Sequence, residues 1–400
     1  MQFVKIEDLK AGMRLAKPIY NKNGVLLYDR DTKITVPGIH SIRNFGLIGI
    51  YILEPAEPTP PLSQEDIQFE RNQTVYMFQL QDIYAQILNR KPLDQLQSLL
   101  LSIQKAYGNL DHRVNFNQNL RSSSDFIYKH SISTAIITAM ISSRLDFSNT
   151  VRETLLCAAL LHNIGYLNVP KSILVKGDHL EKGDRDIIQQ MLERGTEQLE
   201  FYANDFPFFA KALKLIRYFI FSNSQNHTPK EDTEMRVLAS ILEVATTFDT
   251  MTAMRLGCEP ESEIAAMQYL KLNPEIYNNQ IVDILAQCIH IAPSGASVDL
   301  SGGEKGIILT ENPDDFMHPL ILRYSDNQLY DLSDPDVADK IQIIDIMKTM
   351  DNRVKIDEET LKHFIADDRL KKQYAEFRKK NTLANVLQNN SQQSRVDSLF

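Results

Sequence analysis

From Asp125 to about His290 the apolar residues return every three to four positions, the spacing of helix faces rather than the alternation of strands. In a helix beginning near His130, the residues Ile132, Ile136, Ala139, Met140 and Ser143 share one face. The run TVRE at 150–153, just ahead of Leu155 and Leu156, has the form of a capping box and is expected to open the next helix. The centre of the chain is therefore committed to an all-α core. With 400 residues, 43% hydrophobic and 24% charged, the chain has the length for two or three domains and the composition of an ordinary globular protein.

The flanks read differently. Residues 1–55 carry short apolar runs broken by Gly and Asn and predict a small β-rich N-terminal domain, with a hairpin turn at Asn23 and Gly24, which both tolerate positive φ. Pro55, Pro58, Pro60 and Pro61 deny the backbone helical geometry and donors, so 56–63 reads as a linker. Regularly spaced Leu, Ile and Tyr make 64–124 a helical connector, able to pair within the chain or with a second copy, and hence the candidate homodimer surface. The helical domain proper is set at 125–290. Gly-punctuated runs then predict a small β unit over 291–333, followed by C-terminal helices over 334–382 and a polar, low-complexity tail at 383–400 that is expected to be disordered. The fold class is mainly α: a helical bundle core between small β-rich N-terminal and C-terminal units.

Several function classes are excluded at this level. A net charge of -9 argues against binding a nucleic-acid polymer, which is held by clustered Lys and Arg. Cys157, Cys258 and Cys288 lie far apart with no CxxC pair, which fits a reducing compartment, and the apolar run around Cys157 makes it a packing residue. The start MQFVKIEDLKAGM has no signal-peptide pattern, and no apolar stretch approaches the roughly 20 residues that a bilayer requires. A cytoplasmic protein with no membrane segment is expected. No P-loop supports ATP-driven chemistry.

The most informative segment is LLHNIGYLNVPKSIL at 160–174, about thirty residues after His130. Its order and spacing resemble the HD-GYP branch of the HD phosphohydrolase superfamily, bacterial signalling proteins in which a helix ends in Leu-Leu-His-Asp-Ile-Gly-Lys and runs on through a Pro to Ile-Leu. The resemblance extends over about 125–290: residues 180–195 follow the family helix that leads to His-Pro-x-x-Gly, and LASILEVATTFDTMTAMR at 238–255 is similar to the helix that carries its last metal-binding Asp. Residues 6–53 and 295–308 resemble extensions found on either side of such domains. The resemblance implies an HD-type helical bundle.

It also implies a chemistry, hydrolysis of cyclic di-GMP by two or three metal ions, iron or manganese, that activate water and steady the phosphodiester charge. Such a cage needs carboxylates that can bridge, not imidazoles alone. Here His130 and His162 align with family ligands, but the first-helix Glu falls on Phe126, the bridging Asp on Asn163, the His of His-Pro-x-x-Gly on Met191 and the late-helix Asp on Thr246. The tandem His-His-Glu and the Gly-Tyr-Pro would lie between Tyr218 and Pro229, which read YFIFSNSQNHTP, and the Lys after the signature Gly165 is Tyr166.

The expectation is a catalytically inactive pseudoenzyme of this family, with His130, His162, Asn163, Gly165 and Tyr166 as a vestigial motif, no catalytic residue and no resident metal. It would act as a regulatory or binding module toward a cyclic dinucleotide or a protein partner. The alternative is an active phosphohydrolase with one ion on His130 and His162, helped by Asp125, Asp249 or His227. A purely structural partner-binding protein is a third reading. Asp125 lies about 100° around the helix from the lost Glu position, and Asp249, three residues past Thr246, reads as structural. Tyr166 reads as filling the space of the vanished centre. DLSGGE at 299–304 has half the form of a PilZ cyclic di-GMP motif, but Glu304 replaces its last Gly and it reads as a β-turn.

Overall fold

The computed structural model describes residues 2–21, 25–53, 63–116, 118, 120–222, 232–312 and 315–346, with Lys372 and Glu376. The expected turn at Asn23 and Gly24, nearly all of the linker, His227, and the chain from 347 onward, tail included, lie outside these residues apart from the two named.

The N-terminal unit contains β1 (Gln2–Lys5), β2 (Arg14–Leu15), β3 (Ile19–Tyr20), β4 (Leu26–Tyr28), α1 (Val36–Asn44) and β5 (Gly49–Leu53). An antiparallel sheet in the order β1-β5-β2 packs Ile50 and Ile52 against Ile39 and Ile42 of α1, while β3 and β4 pair on their own. Next come α2 (Gln64–Leu88) and α3 (Leu96–Tyr107). Ser63 and Asp66 form a reciprocal capping box that starts α2. Both helices turn their apolar faces inward, with Leu80, Ile83, Leu99 and Ile103 buried, and pack on the central helix of their own chain.

That central helix is α4 (Phe126–Ser143), followed by α5 (Asn149–Leu161), the short α6 (Lys171–Leu174), α7 (Lys182–Leu199), α8 (Phe209–Ser222), α9 (Thr233–Thr252), α10 (Glu263–Leu272) and α11 (Asn279–Cys288). The start of α4 lies four residues before His130. It is buried on every side from Ser131 to Ser142, because α2, α3, α5, α9 and α11 surround it. The single apolar face read from the sequence is thus only part of its contact surface. Each of its buried Ile side chains contributes about 1.5–3 kcal/mol of transfer free energy. The cap of α5 also differs from expectation: Ser148, not Thr150, accepts the Val151 N–H at 3.4 Å, and Glu153 instead accepts from Gln97 on α3.

The C-terminal unit holds β6 (Ser297–Leu300), β7 (Lys305–Thr310), β8 (Leu320–Arg323), β9 (Gln328–Asp331), α12 (Pro335–Ala338) and β10 (Ile343–Ile346). They form one antiparallel sheet in the order β10-β6-β7-β8-β9. Residues 343–346 were expected to be helical and are instead an edge strand, since Ile341 and Ile343 face inward and Gln342 and Ile344 outward, a period of two. Residues 299–304 join β6 to β7 through a single 3-10 turn at Ser301–Gly303. All three cysteines are free, and Cys157 is buried in the core. Among the described residues no helix is long and apolar enough to cross a membrane.

Candidate functional site

His130 lies one turn into α4, and His162 caps the C-terminus of α5, where its backbone N–H still reaches the Ala158 carbonyl at 3.0 Å. The two rings approach with centroids 5.8 Å apart. The chain then tightens into a 3-10 turn over Ile164–Asn168, opened by Asn163. Gly165 is the reason the turn can sit where it does. A Cβ there would lie 2.3 Å from the Met191 carbonyl oxygen, and a Cβ on Gly195 would lie 2.6 Å from the Gly165 nitrogen, so this turn and α7 meet backbone to backbone. Tyr84 Oη of α2 donates to the Leu160 carbonyl at 2.7 Å and lies 3.3 Å from Ser131 Oγ, tying α4 and α5 together beneath the histidines.

The carboxylate that meets these histidines is Asp249 of α9, one turn beyond Thr246, whose hydroxyl is spent on the Leu242 carbonyl at 2.7 Å. Asp249 is fully buried and both of its oxygens are engaged. Oδ2 lies 2.5 Å from His130 Nδ1, while Oδ1 accepts from Arg121 Nη2 at 2.5 Å and Gln118 Nε2 at 3.0 Å. Burial alone would push this carboxyl up. The Arg121 charge and then the His130 hydrogen bond outweigh burial and hold it below the usual carboxylate range.

His162 has the opposite character. Burial, reinforced by neighbouring His130, pushes its pKa down to about 3, so the ring is neutral near pH 7. Its Nδ1 lies 2.9 Å from the Ala159 carbonyl and must carry the proton to donate there, which leaves Nε2 as an acceptor. Phe219 of α8 packs edge-on against it with centroids 5.6 Å apart.

Beside His130 opens a pocket of about 200 Å³ between α4, the turn after α5, α7 and the end of α9. Arg121, His130, Asn163, Tyr166, Thr250 and Arg255 supply its polar wall, and Phe126, Ile127, Ile173 and Leu174 are among its apolar residues. Asn163 is 6% exposed. Neither its amide nor the Tyr166 hydroxyl has a hydrogen-bond partner among the described residues. Burial pushes the Tyr166 phenol up, so it stays protonated.

The structure thus brings His130, His162, Asn163, Gly165 and Tyr166 into one locality and adds three residues that the sequence reading passed over, Gln118, Arg121 and Tyr84. Arg121 stands in an irregular stretch ahead of α4, without periodicity or motif to mark it. Asp125 turns away: it accepts the Ser122 N–H at 2.6 Å and pairs with Lys129 at 2.7 Å. Phe126 faces the pocket, and Met191 meets the turn through its carbonyl oxygen.

A divalent-metal cage does not fit this set. The single carboxylate at the histidine pair has both oxygens committed, one of them to a guanidinium that already supplies the cationic charge, and one His130 nitrogen is committed to the same carboxylate. Among the described residues no three His, Cys, Asp or Glu side chains come together in a way that could hold an ion.

Residues 115–280 match the family model described as HD domain, a span that takes in α4 to α10, His130, His162 and Asp249, and also Gln118 and Arg121 upstream of α4. This part of the chain is similar to HD domains, whose superfamily is that of the HD phosphohydrolases. No curated protein and no solved structure matches the chain.

Proposed function

We propose that the HD domain of this chain is a non-hydrolytic regulatory module of the HD-GYP type, which has kept the helical scaffold of a cyclic di-GMP phosphodiesterase and works by binding. The observation that carries this reading is the Arg121–Asp249–His130 cluster, in which a guanidinium takes the charge-neutralising role that metal ions play in a hydrolytic HD centre. Two features support it further: Asn163 offers an amide where a bridging carboxylate would be needed, and His162 is locked in one neutral tautomer by the Ala159 carbonyl. The folded scaffold does not depend on the cage, because α4 is held by apolar contacts on all sides.

The module would respond to a small ligand or a protein partner in the cytoplasm. Residues 64–124 remain the proposed homodimer surface, with Leu88 and Leu101 as exposed apolar side chains on the outer side of α2 and α3. The test is cyclic di-GMP hydrolysis with added manganese or iron, together with metal content by mass spectrometry. The reading expects no turnover above a protein-free control and less than about a tenth of an equivalent of metal. Turnover that vanishes in His162→Ala would replace it with a metal-dependent phosphohydrolase using His130 and His162.

A further inference from the structure

The pocket beside His130 holds an imbalance that the cluster behind it does not resolve. Asn163 is more than nine-tenths buried, lines the pocket and has no side-chain partner among the described residues, and the Tyr166 hydroxyl on the same wall has none either. Nε of Arg121 and Nε of Arg255 are sealed without an acceptor, whereas the polar atoms of Asn163 and Tyr166 stay open to the pocket space. Burying a polar group unpaired costs about 1–3 kcal/mol in proteins, so such groups commonly await a ligand or ordered water. The local tally is rich in donors and short of acceptors.

No Asp or Glu is among the described residues lining the pocket. The two lining arginines are each paired with a carboxylate outside the lining, Arg121 with Asp249 and Arg255 with Asp178 at 3.1 Å. Each guanidinium is thus partly neutralised. The wall can donate several hydrogen bonds but offers little net positive charge, which suits one carboxylate better than a phosphate-rich ligand. The remainder of the surface is apolar, from Phe126 and Ile127 of α4, Ile173 and Leu174 of α6, Ile188 of α7 and Leu256. Its volume of about 200 Å³ gives room for a compact organic molecule.

Resting on the reading of this domain as a binding module, we infer that the pocket takes a small organic acid: a single carboxylate on a short apolar body, its oxygens received by the Asn163 amide and Tyr166 hydroxyl beside the arginines. A carboxylate is acceptor-only, which is what this wall lacks, and its hydrocarbon part would cover the Phe126–Ile188 side.

The test is titration calorimetry on the full chain with hexanoate and phenylacetate, each against its neutral amide, hexanamide and phenylacetamide. At least one acid should bind with a preference of about tenfold or more over its amide, and Asn163→Leu, which fills the amide volume without donors, should lower that affinity by about tenfold or more. Tyr166→Phe, at a half-buried position, should weaken it in the same direction and serves if the first variant does not fold. Equal binding of acids and amides, no binding of either acid, or undiminished affinity in both variants would overturn the inference. Cyclic di-GMP hydrolysis measured on the same preparation separates the two claims. Turnover removes the non-hydrolytic reading, whereas no turnover together with no acid preference removes the ligand assignment alone.

Discussion

Arg121 and Asp249 are 128 residues apart in sequence, yet Nη2 of one lies 2.5 Å from Oδ1 of the other, with side chains 2% and 0% exposed. Removing one member of such a pair leaves an uncompensated buried charge, at a cost of about 3–5 kcal/mol. Arg121→Met should therefore lower the urea-unfolding free energy by about that much, and Arg121→Met with Asp249→Asn should lose clearly less than the sum of the single changes. Additive losses in that cycle would show that the two charges do not support one another.

The backbone contact between Gly165 and Gly195 predicts a steep, local sensitivity. Gly165→Ala and Gly195→Ala should each destabilise by about 2–4 kcal/mol, because the added carbon meets backbone atoms that cannot step aside. Gly183, in the first turn of α7, has nothing within 4 Å of its Cβ position and is the internal control. Gly183→Ala should raise stability by about 0.5–1 kcal/mol. Thermal unfolding of the three variants, with the order reversed, would remove the packing argument.

Two groups, the buried His162 and the half-buried Glu243, give the protein opposing responses to acid. His162, with its pKa pushed down to about 3, resists a proton that its unfolded counterpart accepts below the ordinary value of 6.5, so its contribution to stability is lost as pH falls from there. Glu243 is pushed up to about 7 by burial, against the opposing charge of Arg236, so the folded state holds its proton more tightly and stability is gained on acidification from about pH 7 toward 4.5. Between pH 7 and 5 each effect is on the order of 2 kcal/mol and the signs differ. His162→Gln should thus become more stable on going from pH 7 to 5, and Glu243→Gln less stable. Chemical denaturation at both pH values checks this, and parallel profiles for the two variants would contradict it.

Asn163→Asp restores a carboxylate beside His162 at a site that is 6% exposed. Without metal this variant should be less stable than the wild type, since the new charge is buried without a partner. Manganese at about a hundredfold above its Kd should then stabilise the variant by about 2–3 kcal/mol and leave the wild type unmoved. Equal melting shifts in both proteins would mean that the native residues already bind the ion.

The helical core and both β units could be read from the sequence because period and punctuation are local signals, as the run from Ile132 to Met140 and the Gly-broken strands of 297–322 illustrate. The motif at 160–174 singled out His162 for the same reason, and His130 followed from its spacing of about thirty residues ahead of it. What escaped was non-local. Nothing around Arg121 distinguishes it from a solvated surface charge until α9 brings Asp249 against it, and nothing around Tyr84 announces a hydrogen bond to Leu160. The strand at 343–346 reads as helix in sequence because a four-residue alternation is too short to stand out beside polar neighbours, and pairing with β6 decides it. The cap at Ser148 shows the same limit on a smaller scale: two hydroxyl residues near a helix start are equivalent in sequence, and only geometry chooses.

The Arg121 carbonyl accepts the Ile48 N–H at 2.7 Å, Ser123 N–H reaches the Gly46 carbonyl at 3.0 Å, and Lys17 donates to the Gln118 carbonyl at 2.7 Å. The loop that neutralises Asp249 is therefore sewn onto the N-terminal β unit, and the histidine pocket is not severable along the line that separates the two in sequence. A fragment cut at Asp125 would keep His130, His162, Asn163, Gly165 and Tyr166 and yet carry a buried Asp249 stripped of its guanidinium partner. Its behaviour would report the wound and not the domain.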